Sequence, residues 1–345
     1  MALAIIGYQY RGMVLKKNGY SYILNIAFLT GLVLFATFRS QDLPDYKSYM
    51  DLFKLSSQGR PSNVEPLFFI ICSIARKLSP VNGWFVLLFI YASLGISIKY
   101  YAIRKYSPYV VFSLSIWLAS FFILHDLIQM RASVASGLLL LFLPEIQKRN
   151  YIKAIILFII AFYFHNSAII FIPLLFLNAQ SINWRLWTIV YIILLMINVT
   201  GDFSGYVNKI LGMLPGIDNA RLSSYIVHGN ELLSGDKTNM FSPYILFQSL
   251  VCFTSLYSIK RLQSASQYAV IWLKCCFISI FIYSLSIPGI SMRLAELLSI
   301  PQIFLVPLLI TVFPSKYYKI GNLLIIFIAL FWLTFFIFNL HFIPL

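Results

Sequence analysis

Residues 109–143 read YVVFSLSIWLASFFILHDLIQMRASVASGLLLLFL, two apolar runs joined by a short polar segment. Each run, 109–125 and 127–143, comes close to the ~20 residues with which a helix crosses a bilayer. The sequence therefore predicts two neighbouring transmembrane helices. His125, Asp126 and Arg131 lie at or near the junction of these runs, and ionisable groups inside membrane-spanning segments are functional by default.

The composition of the whole chain supports a membrane protein. Of its 345 residues 60% are hydrophobic and 11% charged, whereas soluble domains carry about 25% charged residues. The net charge of +15 fits Lys and Arg collecting in cytoplasmic loops, so no nucleic-acid partner is expected. All four cysteines lie in apolar runs, which argues against a disulfide framework or a metal site.

The apolar runs predict one all-α polytopic domain over residues 1–345, with about eleven transmembrane helices. These runs are 22–38, 82–98, 109–125, 127–143, 151–165, 167–178, 185–200, 243–260, 268–288, 294–313 and 320–340. The shorter run 64–78 is predicted as a re-entrant or interfacial helix on the outer face. Only then do six basic positions all fall in the cytoplasm: Lys16/Lys17, Lys99/Arg104/Lys105, Lys148/Arg149, Arg185, Lys260/Arg261 and Lys316/Lys319. The N-terminus is then cytoplasmic, and residues 1–12 are either interfacial or part of a span.

The acidic residues provide an independent check of this topology. Ten of the eleven, Asp126 included, fall on the outer side, and only Glu145 falls inside. The two long loops, 39–81 and 201–242, also lie outside, and ordered loops of such length are usually functional. The sequence therefore predicts a site that faces outward.

Two arginines occupy the unfavourable end of a helix. Arg131 and Arg293 both lie near a helix N-terminus, where the helix dipole disfavours a cation. A bound anion would compensate, since guanidinium groups and helix N-termini both bind phosphate. The structural alternative pairs Arg131 with Asp126 and Arg293 with Glu296. Arg39, which ends the first run, either joins them or only reaches the interface.

Two carboxylates have a competing structural interpretation. Asp126 precedes Gln129 by three residues, and Ser62 precedes Glu65 by three, which is the spacing of a capping box. Capping is favoured for Asp126, while for Glu65 capping and function remain equally open. His125, near the end of a run, is interpreted as structural.

Further candidates lie in the external segments. His165, between two apolar runs, either caps the next helix or exchanges a proton with a sugar hydroxyl or phosphate. Asp42 and Asp45 are either turn residues around Pro44 or ligands of a sugar or an arginine. The other side chains that could contact a sugar are Tyr46, Tyr49, Tyr225 and His228.

Five stretches, in this order, resemble the EpsG-like family of membrane polysaccharide polymerases, which is close to the Wzy polymerases. They are FRSQDLPDY (38–46), VEPLFF (64–69), IQMRASVASGLLLL (128–141), FYFHNSAIIFIPLLFL (162–177) and SMRLAELLSIP (291–301). The resemblance covers roughly residues 22–313. The first loop lacks the GTD-like stretch of many members, which leaves the roles of Asp42 and Asp45 open.

The resemblance implies an inverting, GT-C-like glycosyltransferase of the bacterial inner membrane that needs no cofactor. Such an enzyme polymerises undecaprenyl-diphosphate-linked oligosaccharides at the periplasmic face, with donor and acceptor glycolipids, membrane lipids and a chain-length regulator as partners. The family's diphosphate-binding arginines then correspond to Arg39, Arg131 and Arg293, its histidine to His165 and its first-loop acid to Asp45. As a mechanistic hypothesis, the base is His165 or an external carboxylate, Asp45 or Glu65.

Two other functions remain compatible with the sequence. One is a flippase or transporter of lipid-linked oligosaccharide, although no internal repeat symmetry is visible. The other is a ligase or acyltransferase that uses a lipid-linked substrate. The repeat-unit sugars, the linkage, the chain length and the oligomeric state are not predicted.

Overall fold

The computed structural model describes residues 19–58, 65–200, 239–285 and 291–339. Regular structure in these ranges is helical throughout, as predicted for an all-α protein. The chain divides into two compact units. The first contains the described residues up to Leu175 and from Val306 onward, and the second contains those from Phe176 to Leu305.

Fifteen helices are labelled here in chain order within the described ranges. They are α1 (Gly19–Thr37), α2 (Tyr46–Leu55), α3 (Pro66–Leu78), α4 (Gly83–Tyr106), α5 (Val110–Ile128), α6 (Met130–Gln147), α7 (Tyr151–Phe164), α8 (Phe171–Leu174), α9 (Trp184–Thr200), α10 (Pro243–Tyr257), α11 (Ile259–Ala265), α12 (Ala269–Ser284), α13 (Ser291–Ser299), α14 (Gln302–Leu308) and α15 (Tyr318–Asn339). Helices α1–α8 and α15 belong to the first unit, and α9–α13 to the second.

Three helices are long and apolar enough to cross a membrane: α4, α5 and α15. Helices α13 and α14, bent by 50°, would form a fourth span if counted together. Other predicted runs form apolar helices of 10–17 residues, so the prediction of about eleven crossings is supported only in part. The run 167–178 forms the 3₁₀ turn Asn166–Ile170 and α8, a helical segment about 16 Å long, which is too short to cross ~30 Å of hydrocarbon.

Helix α3 lies antiparallel to the first half of α4. At one end Gly83 is so close that an added Cβ would contact Arg76 Cα at 3.3 Å. At the other end the Phe68 ring packs against Tyr91, with centroids 6.3 Å apart. Tyr91 lies about 12 Å along α4 from Gly83, so the N-terminus of α3 reaches well below the start of α4. Its predicted re-entrant or interfacial position on the outer face of the membrane stays a prediction.

Helix α5 changes from α to π geometry after Ile116, and the π-helical part spans Trp117–Ile128. Single π turns occur frequently at functional sites. The next helix begins after Gln129, whose side chain makes no capping hydrogen bond. The predicted capping box of Asp126 and Gln129 is therefore wrong, because Asp126 lies inside the preceding helix and is buried.

The pairing of Asp126 also corrects the predicted topology. Its Oδ1 atom lies 2.7 Å from Lys99 Nζ, and both side chains are fully buried. The sequence placed Lys99 in a cytoplasmic cluster and Asp126 outside, which two residues in contact cannot satisfy. Lys99 lies inside α4, about 70% of the way along the helix. Its charge therefore does not indicate which end of α4 is cytoplasmic.

In the second unit, α12 packs against α9, α10, α11 and α13. Its aromatic core includes Trp272, which stacks on Phe304 with ring centroids 4.4 Å apart. All four cysteines of the chain are buried and free, three of them in this unit. Helix α12 also carries Lys274, whose ammonium group donates to the backbone oxygen of Asn178 at 2.5 Å.

Candidate active site

Arg131 is the second residue of helix α6 and faces the carboxylate of Glu65, which directly precedes helix α3. Its Nη1 atom donates to Glu65 Oε2, and its guanidinium lies 5.1 Å from the ring centroid of Tyr49 and 5.7 Å from that of Phe68. These rings come from α2 and α3, so three segments position the cation. The structural alternative of an Arg131–Asp126 pair is wrong, because each residue has a different partner.

Glu65 occupies the N-cap position of α3, but its side chain does not cap that helix. Pro66 at the first helical position has no N–H to satisfy, and the carboxylate turns toward the 3₁₀ turn that follows α7. There Glu65 Oε1 accepts from the backbone N–H of Asn166 at 3.0 Å and lies 3.1 Å from His165 Nδ1. The capping interpretation with Ser62 falls on a residue outside the described ranges.

His165 separates α7 from the 3₁₀ turn in an extended conformation, with φ −157° and ψ 115°. Its backbone N–H closes α7 by donating to Ala161 O at 2.8 Å, while its carbonyl begins the next turn. Among the described residues, the imidazole has a side-chain partner only at Nδ1, where it contacts Glu65. If Nδ1 carries the proton, Nε2 is left as a hydrogen-bond and proton acceptor.

The charge of Glu65 is stabilised by its three partners. Burial alone would raise its pKa, but the His165 hydrogen bond, the charge of Arg131 and the N–H of Asn166 outweigh this effect. Together they lower the pKa of Glu65 from 4.5 to about 2. Glu65 is therefore ionised across the physiological range and serves as a fixed anion between a cation and an imidazole.

The lowered pKa predicts a pH-dependent stability. A carboxylate with a depressed folded-state pKa contributes stability that is complete above pH 4.5 and is lost as pH falls toward 2. We expect the melting temperature of Glu65→Gln in detergent to lie below wild type at pH 6–7, and the difference to shrink below about pH 4. Tryptophan fluorescence melts across this range measure it. A difference that stays constant with pH would contradict the assignment.

Some buried donor atoms at this site are unused. Arg131 Nε and the hydroxyl of Tyr91 are buried and have no hydrogen-bond partner among the described residues. The Tyr91 ring packs against Phe68 and Phe164, which carries its hydroxyl into electrostatic range of Arg131 and Glu65. Buried donors are normally paired, so these atoms are suited to a ligand with oxygen acceptors.

Arg39 lies beside the same helix junction. Its Nη1 atom donates to Leu127 O at 2.5 Å and to Asp126 O at 3.3 Å, and its Nη2 approaches the sulfur of Met130 at 3.9 Å. The guanidinium therefore binds the carbonyl end of the π-helical segment, where helix polarity favours a cation. Its Nε is buried and has no partner in the described part of the chain.

The sequence can now be compared with known proteins. The sequence model of the EpsG family matches residues 21–345. The chain belongs to the EpsG family. Over 175 residues it is also 26% identical to the amylovoran biosynthesis protein AmsC of Erwinia amylovora. That match covers 46% of each chain, so the alignment spans about half the length of this relative. No solved structure matches.

Membership of the EpsG family confirms the resemblance drawn from the five sequence stretches. Three of the site residues predicted from the sequence, Arg131, Glu65 and His165, come together in the structure. Arg39 lies next to them at the α5–α6 junction. Arg293 is exposed on α13 in the second unit, and its proposed diphosphate contact stays a prediction.

The remaining candidates occupy other positions. Tyr46 is buried and its hydroxyl accepts from Trp84 Nε1 at 2.8 Å, so it packs α2 against α4 and presents no open face to a sugar. Asp45 begins α2 with a left-handed backbone, φ 65°. Asp42 is exposed and bonds with Ser40 Oγ at 3.1 Å. Tyr225 and His228, with residues 1–12 and most of loop 201–242, lie outside the described residues.

Sequence reasoning missed several residues that shape the site. Phe68 and Tyr91 were indistinguishable from ordinary apolar and interfacial aromatics. Lys99 was hidden by its neighbours Arg104 and Lys105. One signal was available, since Lys99 lies in an apolar helix well before the basic end that those two residues form.

Proposed function

We propose that this EpsG-family protein polymerises undecaprenyl-diphosphate-linked oligosaccharide repeat units into a surface polysaccharide. The reaction is an inverting glycosyl transfer at the outer face of the bacterial inner membrane, and it releases undecaprenyl diphosphate. Support comes from the family and from AmsC, whose name places it in amylovoran biosynthesis. The observation that carries the proposal is the Arg131–Glu65–His165 chain of contacts.

In this chain of contacts the carboxylate of Glu65 contacts both Arg131, which can bind an anion, and His165, which can accept a proton. An acceptor-sugar hydroxyl attacks C1 of the donor sugar, the new C1–O bond forms, and the bond from C1 to the diphosphate breaks. His165 Nε2 takes the hydroxyl proton. Glu65 holds the imidazole through Nδ1 and stabilises its cationic form, as the aspartate does for the histidine of a Ser-His-Asp triad.

Arg131 acts on the leaving group. The diphosphate departs as an anion, so the enzyme must supply positive charge more than protons. A guanidinium fork fits phosphate oxygens in two parallel hydrogen bonds, and Arg131 Nε, which has no partner in the described part of the chain, can donate to one of them. Arg39 is positioned to add a second cation. For Arg293 the proposed role rests on its family motif alone.

The Arg131–Glu65 pair links the two halves of the reaction. A bound diphosphate attracts Arg131 and weakens the Arg131–Glu65 ion pair. The charge of Glu65 is then less neutralised by Arg131 and stabilises the protonated imidazole of His165 more strongly. This strengthens the imidazole as a base at the moment the donor is bound. Donor binding would thus prepare the acceptor hydroxyl for attack.

The proposed activity is tested with purified protein in liposomes. The substrate is the lipid-linked repeat unit extracted from a strain of the source organism that lacks this gene. We expect a ladder of glycolipids differing by one repeat unit, with one undecaprenyl diphosphate released for each addition. Transbilayer movement without extension, or transfer to an acceptor other than the repeat unit, would contradict a polymerase.

A further inference from the structure

A buried polar cluster lies next to the candidate site in the first unit. Lys99 Nζ on α4 lies 2.7 Å from Asp126 Oδ1 and donates to Ser133 O at 2.8 Å. The second carboxylate oxygen of Asp126 accepts from Trp117 Nε1 at 3.0 Å, and Ser133 Oγ also donates to Asp126. Lys99 and Asp126 have 0% exposed side chains. The cluster joins α4, α5 and α6.

This ion pair is not explained by stability. A buried pair loses its hydration on folding, and apolar replacements of similar volume are often neutral or stabilising. The fold nevertheless makes room for it at Gly95, where an added Cβ would collide with Ser133 Oγ and approach Asp126 Oδ1 to 3.1 Å. Because stability does not explain this buried ion pair, we look for its role in the residues that it positions.

The cluster holds both sides of the α5–α6 junction. Asp126 lies just before the junction and Ser133 lies three residues into α6. Between these two anchors lie the carbonyl of Leu127, which accepts from Arg39, and Arg131 itself. Fixing Asp126 and Ser133 to one ammonium group therefore fixes where both guanidinium groups lie.

We propose that Lys99 and Asp126 form a positioning pair that holds the α5–α6 junction so that Arg39 and Arg131 present their charges to the site. Neither residue is assigned contact with a substrate. The pair fixes the positions of Arg39 and Arg131 whatever reaction the protein catalyses, whereas the effect of the pair on catalysis rests on the proposed function. The two can therefore be tested separately.

The test variant is Lys99→Met/Asp126→Asn, which removes both charges together. Asparagine can still accept from Trp117 and donate toward Ser133, so no lone buried charge remains. The matched control is Glu145→Gln. Glu145 is also buried on α6 and ion-paired, with Lys148 and Lys153, but it lies at the far end of the helix.

The first readout needs no enzymatic activity. Phenylglyoxal modifies accessible arginines, and mass spectrometry follows the rate at each one. We expect Arg39 and Arg131 to react several-fold faster in the double variant than in wild type. Arg76 lies away from the cluster and donates to Ser56 Oγ at 2.6 Å. Its modification rate should not change. Glu145→Gln should leave all three rates unchanged.

The second readout is kcat/KM for the lipid-linked repeat unit, corrected for folded protein. A misplacement of about 1 Å can cost up to 10²-fold in rate, so we expect the double variant to lose at least about 10-fold. Glu145→Gln should keep the wild-type value even if it melts at a lower temperature. Inactivity of wild type would overturn the proposed function but leave the modification result decisive for the pair.

Two results would overturn the positioning pair. One is unchanged modification of Arg39 and Arg131 in the double variant. The other is an equal increase in Glu145→Gln, which would indicate general loosening of α6. If the double variant does not accumulate, Ser133→Ala tests the positioning pair instead, since it removes only one hydroxyl. Faster modification of Arg131 relative to Arg76 in this variant would support the pair. An unchanged ratio of the two rates would contradict it.

Discussion

Alanine in place of Arg131 is expected to leave an inserted protein that extends chains at least about 100-fold more slowly, since losing one preorganised donor to developing negative charge costs 10²–10³ in rate. Glu65 keeps His165 and the Asn166 N–H as partners in this variant, so the fold is expected to survive. The measurement is the rate of chain extension in liposomes, normalised to folded protein. Single repeat units should accumulate.

Arg76→Ala is the matched control for this prediction. Arg76 is also a partly buried arginine over an aromatic ring, 4.4 Å from the centroid of Phe53, and it lies at the opposite end of α3. Its loss should lower stability but leave extension by folded protein near wild type. Lysine at position 131 keeps the charge without the fork, and an intermediate rate is expected. Normal extension by Arg131→Ala, or equal loss in Arg76→Ala, would rule out a specific anion site.

Much of the first unit could be predicted because apolar runs record burial locally. The runs at 109–125 and 127–143 correspond to α5 and α6, and the short run 64–78 corresponds to α3. The unfavourable position of Arg131 at a helix start was also visible, since the helix dipole depends only on neighbouring residues. Such features need no knowledge of tertiary contacts.

The partners of these residues could not be predicted, because they are distant in sequence. Glu65 is 66 positions from Arg131 and 100 from His165, and Lys99 is 27 from Asp126. At each of these residues a local pattern offered a plausible alternative: a capping box for Asp126 and Glu65, and a cytoplasmic basic cluster for Lys99. Helix packing overrode the local pattern for Asp126 and Lys99, and it gave Glu65 partners that are distant in sequence.

Helix length was a second source of error. The run 167–178 is apolar enough to suggest a crossing, but it follows His165 and Asn166 and contains Pro173. The His165 break starts a 3₁₀ turn, and the carboxylate of Glu65 stabilises its first N–H from outside the segment. A tertiary contact thus decides where the helix begins, and the same contact builds the candidate site.

His165→Ala is expected to reduce chain extension by about 10²–10⁴-fold, the usual contribution of a general base. Glu65→Gln should cost less, since the amide oxygen still accepts from Nδ1 but carries no charge to stabilise the imidazolium. Tyr163→Phe is the control, because Tyr163 is exposed two residues before His165. It should extend chains at the wild-type rate.

The double variant Glu65→Gln/His165→Ala distinguishes a catalytic pair from two independent residues. Groups that act as a unit are strongly non-additive. If Glu65 acts through His165, the double variant should be no slower than His165→Ala alone, because the carboxylate then has no imidazole to orient. Multiplied losses would mean that Glu65 contacts the substrate or sustains the site independently. Full activity of His165→Ala would transfer the role of the base to another residue, with Asp45 the next candidate.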